Sequence, residues 1–462
     1  MRRLIVLLAG CAAVFSHWPA VAAAPVARSV AQTKSKGVSL QTWALKNGLK
    51  VVFAARQGAP LVSVQIVYHV GSRDEKAGTR GLARIMRELM FRGSARVPPG
   101  GHSRLIARVG GRVAAHGDED ITAFANTVPA PYTEMAIELE AERMRGLSLK
   151  EADVAAVRQF VLRSRQRQVD GSALGKSIEL LRGDVFGGHP YANGVMGVVA
   201  DLRRISVDDC ARFHQTHFGP NNATLVVAGA ISEAALRPLV EKHFGAIAPN
   251  PALAARQGFT PAPAAPAKAL KLPVEKPMVA IGVPLPRLSP RERASVYVLS
   301  EVLAGGSAGR LSRRLVGPKS AALAAGGAPL ALEDGGVLVL FAVHQPDHTS
   351  DEIRRIMLDE LAQMRDKPID LEELTQARLR AAATVAGALS STEGLANALA
   401  MATAVEGELE QAMLRPQQIL DVSQSDIGRL ANQYLREDML SILMLTPEGR
   451  PAAEASQPKG TP

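Results

Sequence analysis

Aromatic residues are scarce in this chain: Phe, Tyr and Trp make up only 4% of its 462 residues, so a core must be filled by Leu, Val and Ala. Cysteine is scarcer. There are two, Cys11 and Cys210, and the first falls in a segment that reads as an export signal. The mature chain is then left with one thiol, which excludes an internal disulfide and a CxxC metal knuckle. Cys210 sits in the amphipathic run Asp208-Asp209-Cys210-Ala211-Arg212-Phe213 and reads as a buried structural thiol rather than a reactive one. Beyond the N-terminus no apolar run reaches the ~18 residues a membrane helix needs. The net charge is +10, but no dense Lys/Arg patch is interleaved with aromatics, which argues against nucleic acid as a partner. The 40 Gly and 29 Pro recur without a period, so the chain is not collagen-like. What is present, 47% hydrophobic and 21% charged residues, is ordinary for a globular protein of several domains.

The N-terminus predicts export. Arg2 and Arg3 form a positive region, Leu4 to Phe15 an apolar core too short to span a bilayer, and Ala20-Val21-Ala22 an A-x-A cleavage site. Residues 1–22 are therefore expected to be a signal peptide, with the periplasm as destination. Leu8-Ala9-Gly10-Cys11 offers the alternative of lipid anchoring through Cys11.

Downstream, two halves repeat a similar order of elements. In the first, 37–248, Ser39 to Trp43 and Leu49 to Ala54 read as a strand pair around Lys46-Asn47-Gly48, a hairpin signal. Leu61 to Val70 reads as a central strand, and Thr79 to Phe91 has helical periodicity through Leu82, Ile85, Met86 and Leu89. Helices are predicted over Tyr132 to Leu147, Glu151 to Gln168, Gly175 to Arg182 and Ile231 to Phe244, with a strand at Ala223 to Val227. Residues 249–273 are rich in Ala and Pro and read as a stiff linker. The second half, 274–449, predicts strands at Val279 to Val283, Val337 to Val343 and Met439 to Leu445. Its helices are predicted at Arg291 to Leu303, Asp351 to Arg365, Leu371 to Leu389 and Ile427 to Leu435. Residues 450–462 read as a disordered tail. The fold class expected is α+β: two related domains, each a mostly antiparallel sheet covered by helices.

The stretch Gly81-Leu82-Ala83-Arg84-Ile85-Met86-Arg87-Glu88-Leu89-Met90-Phe91-Arg92-Gly93-Ser94 resembles the active-site helix of the pitrilysin/insulinase family of zinc peptidases. That family places H-x-x-E-H between a Gly-Leu-Ala stem and a Phe-basic-Gly-small exit. Val70-Gly71-Ser72-Arg73-Asp74-Glu75, the 109–129 hairpin, Glu142-Arg143-Met144, His189-Pro190-Tyr191, Phe218 to Val227 and the Gly305-Gly306…Arg310-Leu311 opening are similar to family segments in the same order. The resemblance covers about 39–449.

It implies a chemistry the residues do not supply. In the inverted motif two His on one helical face hold zinc, the Glu beside the second takes a proton from bound water, and a Glu on a later helix completes the ligand set. Aligned on the flanks, Arg84 stands at the first His, Arg87 at the general base, Glu88 at the second His and Ser164 at the distal Glu. Arginine cannot be deprotonated in a protein, so it neither ligates zinc nor acts as base. No metal is therefore expected, although the active relatives carry zinc. Substrate-cleft candidates by the same alignment are Ala114, Ala115 and His116, in Ala114-Ala115-His116-Gly117, where the family has Asn-Ala-aromatic-Thr. Val316 and Leu323 fall where some members place a substrate-gripping Arg and Tyr.

Other residues have plainer readings. Arg84 and Glu88 are spaced i,i+4 and are expected to pair. His116 near Asp118, Glu119 and Asp120 reads as a solvated turn, the His214/His217 pair as a surface or interface feature, His189 as a turn residue, and Gly305–Gly309 as a hinge lacking a P-loop's Lys. By resemblance, family members enclose peptides in a shell of four such domains, so a two-domain chain needs a second. The function expected is a non-catalytic, exported partner subunit of an active homologue, in a heterodimer. The alternatives are a zinc endopeptidase with replacement ligands, and a peptide-binding or chaperone-like protein.

Overall fold

Runs of β-branched and small apolar residues build two sheets in the computed structural model, which describes residues 33–35, 38–251, 253, 256, 258–261, 266–272, 274–317, 321–403 and 408–448. The expected signal peptide and tail lie outside these residues. The first sheet holds β1 (Thr33–Ser35), β2 (Val38–Ala44), β3 (Lys50–Ala55), β4 (Leu61–Tyr68), β5 (Arg112–Gly117), β6 (Thr122–Pro129) and β7 (Ala223–Gly229), in the order β1-β2-β3-β7-β4-β6-β5. The second holds β8 (Lys268–Leu272), β9 (Met278–Pro286), β10 (Ala322–Ala331), β11 (Gly335–His344) and β12 (Ser441–Pro447), in the order β10-β11-β9-β12-β8. Every pairing is antiparallel except β3 with β7 and β8 with β12. The α+β architecture expected from the sequence is the one observed.

The helices of the first half are α1 (Leu82–Leu89), α2 (Gly101–Arg108), α3 (Thr133–Arg145), α4 (Glu151–Arg165), α5 (Ala173–Phe186), α6 (Val199–Leu202), α7 (Val207–His217) and α8 (Glu233–Phe244). Those of the second are α9 (Pro290–Ala304), α10 (Arg310–Leu315), α11 (Ser350–Asp366), α12 (Leu371–Leu389), α13 (Thr392–Met401), α14 (Gln411–Leu420) and α15 (Gln424–Tyr434). Their starts are written in the sequence. Ser206 with Asp209, Ser289 with Glu292 and Ser423 with Asp426 form capping boxes at α7, α9 and α15, satisfying N–H groups that have no partner inside the helix. None of the described helices is long and apolar enough to cross a membrane.

The two halves exchange helices. α5, from the first half, lays Leu181, Val185 and Phe186 on Met278, Ala280, Val339 and Leu443 of the second sheet. α13, from the second half, lays Leu395 and Leu399 on Val52, Val67 and Val226 of the first. Each sheet is thereby covered on both faces, which is why β4 is buried from Val62 to Tyr68 and reads as an apolar run. α5 sits so close that a Cβ at Gly282 would stand 3.2 Å from Leu181 Cδ2.

Several expectations shift. The stretch 249–273, read as a linker, carries β8 within it, and its Phe259 stacks edge-on to Phe186 with ring centroids 4.9 Å apart. β10 escapes a sequence reading because Ala-Leu-Ala-Ala-Gly-Gly-Ala-Pro-Leu-Ala has neither β-branched residues nor alternation. α13 and α14 are also additions; α14 carries Pro416 inside it.

A buried ionic seam joins the halves. Arg73 Nη1 donates to Asp120 Oδ1 (2.8 Å), Tyr191 Oη (2.7 Å) and Glu333 Oε2 (3.1 Å), and its Nη2 to Asp334 Oδ2 (2.5 Å). Tyr191 Oη donates in turn to Asp120 Oδ1 at 2.6 Å, and the Glu333 N–H reaches Asp120 Oδ2 at 2.7 Å. Arg256 adds contacts to Glu333 (2.6 Å), Asp74 Oδ2 (2.8 Å) and the His69 carbonyl (2.8 Å). The β10–β11 turn of the second half is thus clamped to the Gly71–Asp74 loop and the β5–β6 turn of the first.

Candidate functional site

α1 is fixed at its N-terminus and beneath. Gly81 enters at φ +103°, a left-handed conformation that glycine adopts without strain. The Glu75 carboxyl accepts the N–H groups of Gly81 (2.6 Å) and Ala83 (2.8 Å) and so caps the helix N-terminus; burial pushes its pKa up to about 8 against these two N–H groups. Leu82, Ile85, Met86 and Leu89 are buried on the inner face. The opposite face presents Arg84, Arg87 and Glu88.

These three are together. Arg84 Nη2 stands 3.2 Å from Glu88 Oε1, the i,i+4 pair expected from the spacing, and Arg87 Nη2 stands 3.6 Å from the same oxygen. Side-chain exposures are 13% for Arg84, 15% for Arg87 and 29% for Glu88, so the cluster is neither sealed nor freely solvated. Burial lowers the Arg84 pKa, with the Glu88 charge acting against it. The buried Arg84 Nε has no hydrogen-bond partner among the described residues.

α1 packs against β5, the last strand of its sheet, and against α4. Arg87 lies across the end of β5: its Nη1 is 3.5 Å from the Gly117 carbonyl oxygen, and a Cβ at Gly117 would stand 3.3 Å from Arg87 Cδ. Ala114, Ala115 and His116 lie along this edge strand, Ala114 and Ala115 exposed and His116 half-buried. His116 Nε2 stands 3.4 Å from Asp118 Oδ2. The turn beyond is not solvated as the sequence suggested: Asp118, Glu119 and Asp120 are all buried. Burial works against the Asp118 charge, but His116 and the N–H groups of Ile121 and Asp120 outweigh it and hold the carboxyl below its ordinary range. Glu119 pairs with Arg182 at 2.8 Å. The Thr122 hydroxyl donates to the Val70 carbonyl at 2.9 Å, a structural role.

Ser164 is buried on α4. The next residue, Arg165, donates to the Gly197 carbonyl (2.5 Å) and Glu179 (2.6 Å). Where the inverted motif needs three lone-pair donors and a base, α1 offers two permanent cations and one carboxylate already engaged by both, and α4 a buried hydroxyl with no hydrogen bond to them among the described residues. It does not fit a zinc ion. Among the described residues no group of three or more His, Cys, Asp or Glu is arranged to hold a metal.

Val316 and Leu323 belong to the second half. Val316, 39% exposed, ends α10 and bridges to Ala322, while Leu323 is in β10. His214 is buried rather than at the surface: its Nε2 meets the Arg143 carbonyl at 3.2 Å and its ring stacks on Phe218. Cys210 is fully buried on α7, which pushes its thiol up to about 12. His189 is a turn residue, its Nδ1 accepting the Tyr191 N–H at 3.2 Å. The seam residues Arg256, Glu333 and Asp334 had no signal in the sequence, because their partners are far apart along the chain, and Tyr191 stood out only within the His189-Pro190-Tyr191 turn, with nothing to show its link to Asp120 and Arg73.

Two family descriptions match the chain: "Insulinase (Peptidase family M16)" over residues 50–198 and "Peptidase M16 inactive domain" over 204–380. The chain is similar to the "Zinc protease PqqE" of Helicobacter pylori, with 26% identity over 408 residues that cover 87% of this chain and 92% of that protein. It is similar over 220 residues, at 24% identity, to "Mitochondrial-processing peptidase subunit beta" of Lentinula edodes, covering 48% of this chain and 47% of that protein. Its fold resembles the crystal structure of a protease from Helicobacter pylori with a TM-score of 0.82 and 25% identity, covering 88% of this chain and 99% of that one.

Proposed function

The chain belongs to the insulinase (M16) peptidase family, and from that premise we propose that it is an exported, non-catalytic member that serves as partner subunit of a metal-bearing homologue and contributes half of a peptide-enclosing chamber. One observation carries the reading: α1 presents Arg84 and Arg87, paired with Glu88, on the face where the family's chemistry needs imidazole and carboxylate. Two guanidinium groups repel a dication and accept no proton at any pH at which a protein folds. The scaffold around them is kept: the α1 cap, the β5 edge and the clamped β5–β6 turn hold the remnant face in a fixed position beside a strand open to pairing. A fold maintained around an emptied metal site favours a binding or assembly role over hydrolysis. The likeness to a peptidase subunit of Lentinula edodes supports assembly with a second chain.

The test is purification of the chain from its native envelope. The reading expects the chain in the exported fraction, without stoichiometric zinc, with no peptidase activity alone, and co-eluting with a homologue that carries H-x-x-E-H. A chain that holds zinc and cleaves unstructured peptides in a chelator-sensitive manner would replace this reading with that of an active metallopeptidase using other ligands.

A further inference from the structure

We infer that Arg84 and Arg87 form a recognition site for a carboxylate of an extended peptide lying along the β5 edge. This rests on the proposed reading that the chain holds peptides. The first observation is the ion pairing. Two guanidinium groups share the single Glu88 carboxylate, at 3.2 and 3.6 Å. Neither has another ion pair within 4 Å among the described residues. Asp118, the other carboxylate lining the small pocket between α1 and the β5–β6 turn, is engaged by His116 (3.4 Å) and by the N–H groups of Asp120 (2.8 Å) and Ile121 (2.9 Å). By number the two guanidinium groups are matched by two carboxylates, but Asp118 makes no ion pair with either arginine within 4 Å among the described residues and already accepts from its own turn, so Arg84 and Arg87 are left to share Glu88.

The second observation is unused hydrogen-bonding capacity. Among the described residues the buried Arg84 Nε–H has no partner, and Arg87 makes its 3.6 Å approach to Glu88 and a 3.5 Å contact to the Gly117 carbonyl. Unpaired Nε–H groups recur in arginines that serve the fold, Arg165 and Arg182 among them, but each of these also makes a short ion pair, to Glu179 at 2.6 Å and to Glu119 at 2.8 Å, whereas Arg84 and Arg87 reach Glu88 only at 3.2 and 3.6 Å. A planar guanidinium with open donors matches a carboxylate's two oxygens.

The third is placement. The outer edge of β5 has no neighbouring strand among the described residues, so its outward N–H and C=O groups can pair with an extended chain, and Arg87 crosses its last residue. On the other flank of α1, a cleft of about 390 Å³ lined by Glu88, Phe91, Val157 and Phe160 offers apolar surface to the same chain. A carboxylate can arrive from two sources. Parallel pairing brings a peptide's C-terminus to Gly117, whereas either direction of pairing can deliver an Asp or Glu side chain.

The experiment is fluorescence anisotropy of the full exported chain with short unstructured peptides that differ only in one Glu or Gln, each made with a free or an amidated C-terminus. We expect the Glu peptides to bind about tenfold more tightly than the Gln peptides, the worth of one charge-assisted contact. If the C-terminal carboxylate is the ligand, the tenfold step appears between acid and amide instead. Arg84→Gln with Arg87→Gln should abolish the preference while leaving neutral-peptide binding in place. Should that pair fail to fold, Glu88→Gln keeps the inference testable: it frees both guanidinium groups and should tighten acidic peptides several-fold, a gain that a purely structural role would not produce. Equal binding of all four peptides would overturn the carboxylate site and leave the peptide-holding reading standing. No binding of any peptide would overturn both.

Discussion

Two clusters of arginine and carboxylate sit on either side of the β5–β6 turn, and they are opposites. At the seam, Arg73 and Arg256 face Asp74, Asp120, Glu333 and Asp334, an excess of negative charge at contacts mostly between 2.5 and 3.1 Å. On α1, Arg84 and Arg87 pair only with Glu88 among the described residues, at 3.2 and 3.6 Å, although Asp118 lines the same small pocket. The Arg73 and Asp120 side chains are 2% and 1% exposed, yet Arg256, at 24%, is more exposed than the α1 arginines at 13% and 15%, so burial alone does not separate the two clusters. The residue types are the same. What separates them is saturation: at the seam two arginines make short contacts to four carboxylates and fix the geometry of two half-molecules, whereas on α1 two guanidinium groups share one carboxylate at longer range, the capacity that the proposed ligand would use.

The sharpest way to break this comparison is Arg73→Ala. It leaves Asp120 and its neighbours buried without their counter-charge and should cost about 3–5 kcal/mol in chemical denaturation. A loss below about 1 kcal/mol, the range of exposed ion pairs, would mean that the seam is wet and that the two clusters are alike.

A smaller effect comes from the seam's charge imbalance. Burial, with the Asp118 charge behind it, pushes the Asp120 pKa up to about 7 against the pull of Arg73. From the ordinary carboxylate range up to about 7, the folded chain keeps a proton that the unfolded chain has released. This contribution is therefore fully present below the unfolded pKa and is lost as pH rises through about 7, by at most about 1.4 kcal/mol per pH unit. Asp120→Asn removes the titration. The stability difference between the wild type and this variant should fall in the wild type's disfavour as pH is raised from about 4 to 7 and level off above. A difference that is flat across that window would place the seam's proton elsewhere.

The sequence made one of these clusters legible and hid the other. Arg84, Arg87 and Glu88 stand within one helical repeat, so their shared face and the Arg84–Glu88 pair follow from 3.6-residue periodicity. Gly81 and the apolar positions Leu82, Ile85, Met86 and Leu89 fix which way that face points. The seam is made by residues separated by up to 261 positions, as Arg73 is from Asp334, and no local pattern encodes such a meeting. The same limit applies to the exchange of helices. Leu181 and Leu395 look like ordinary core positions, and nothing nearby says that each belongs to the other half's sheet. Asp118 to Asp120 misled for a related reason: three acidic residues in a row read as a solvated turn unless their distant arginines are known.

The smallest expected effect tests the other side of the comparison. Arg84→Ala removes a cation whose single ion pair lies at a half-open rim, and the Glu88 that it leaves is 29% exposed, with Arg87 still 3.6 Å away. No buried charge is stranded, so the change in unfolding free energy should stay within about 1 kcal/mol. The loss of the side chain's apolar stem acts in the destabilising direction and the removal of Arg–Arg repulsion in the stabilising one. A cost of several kcal/mol, close to that of Arg73→Ala, would show that α1's arginines hold the fold together as firmly as those of the seam. It would leave them no free capacity for a peptide carboxylate. A near-neutral result would mean that two permanent cations on the remnant face contribute little to holding the molecule together, which is the condition a binding role requires.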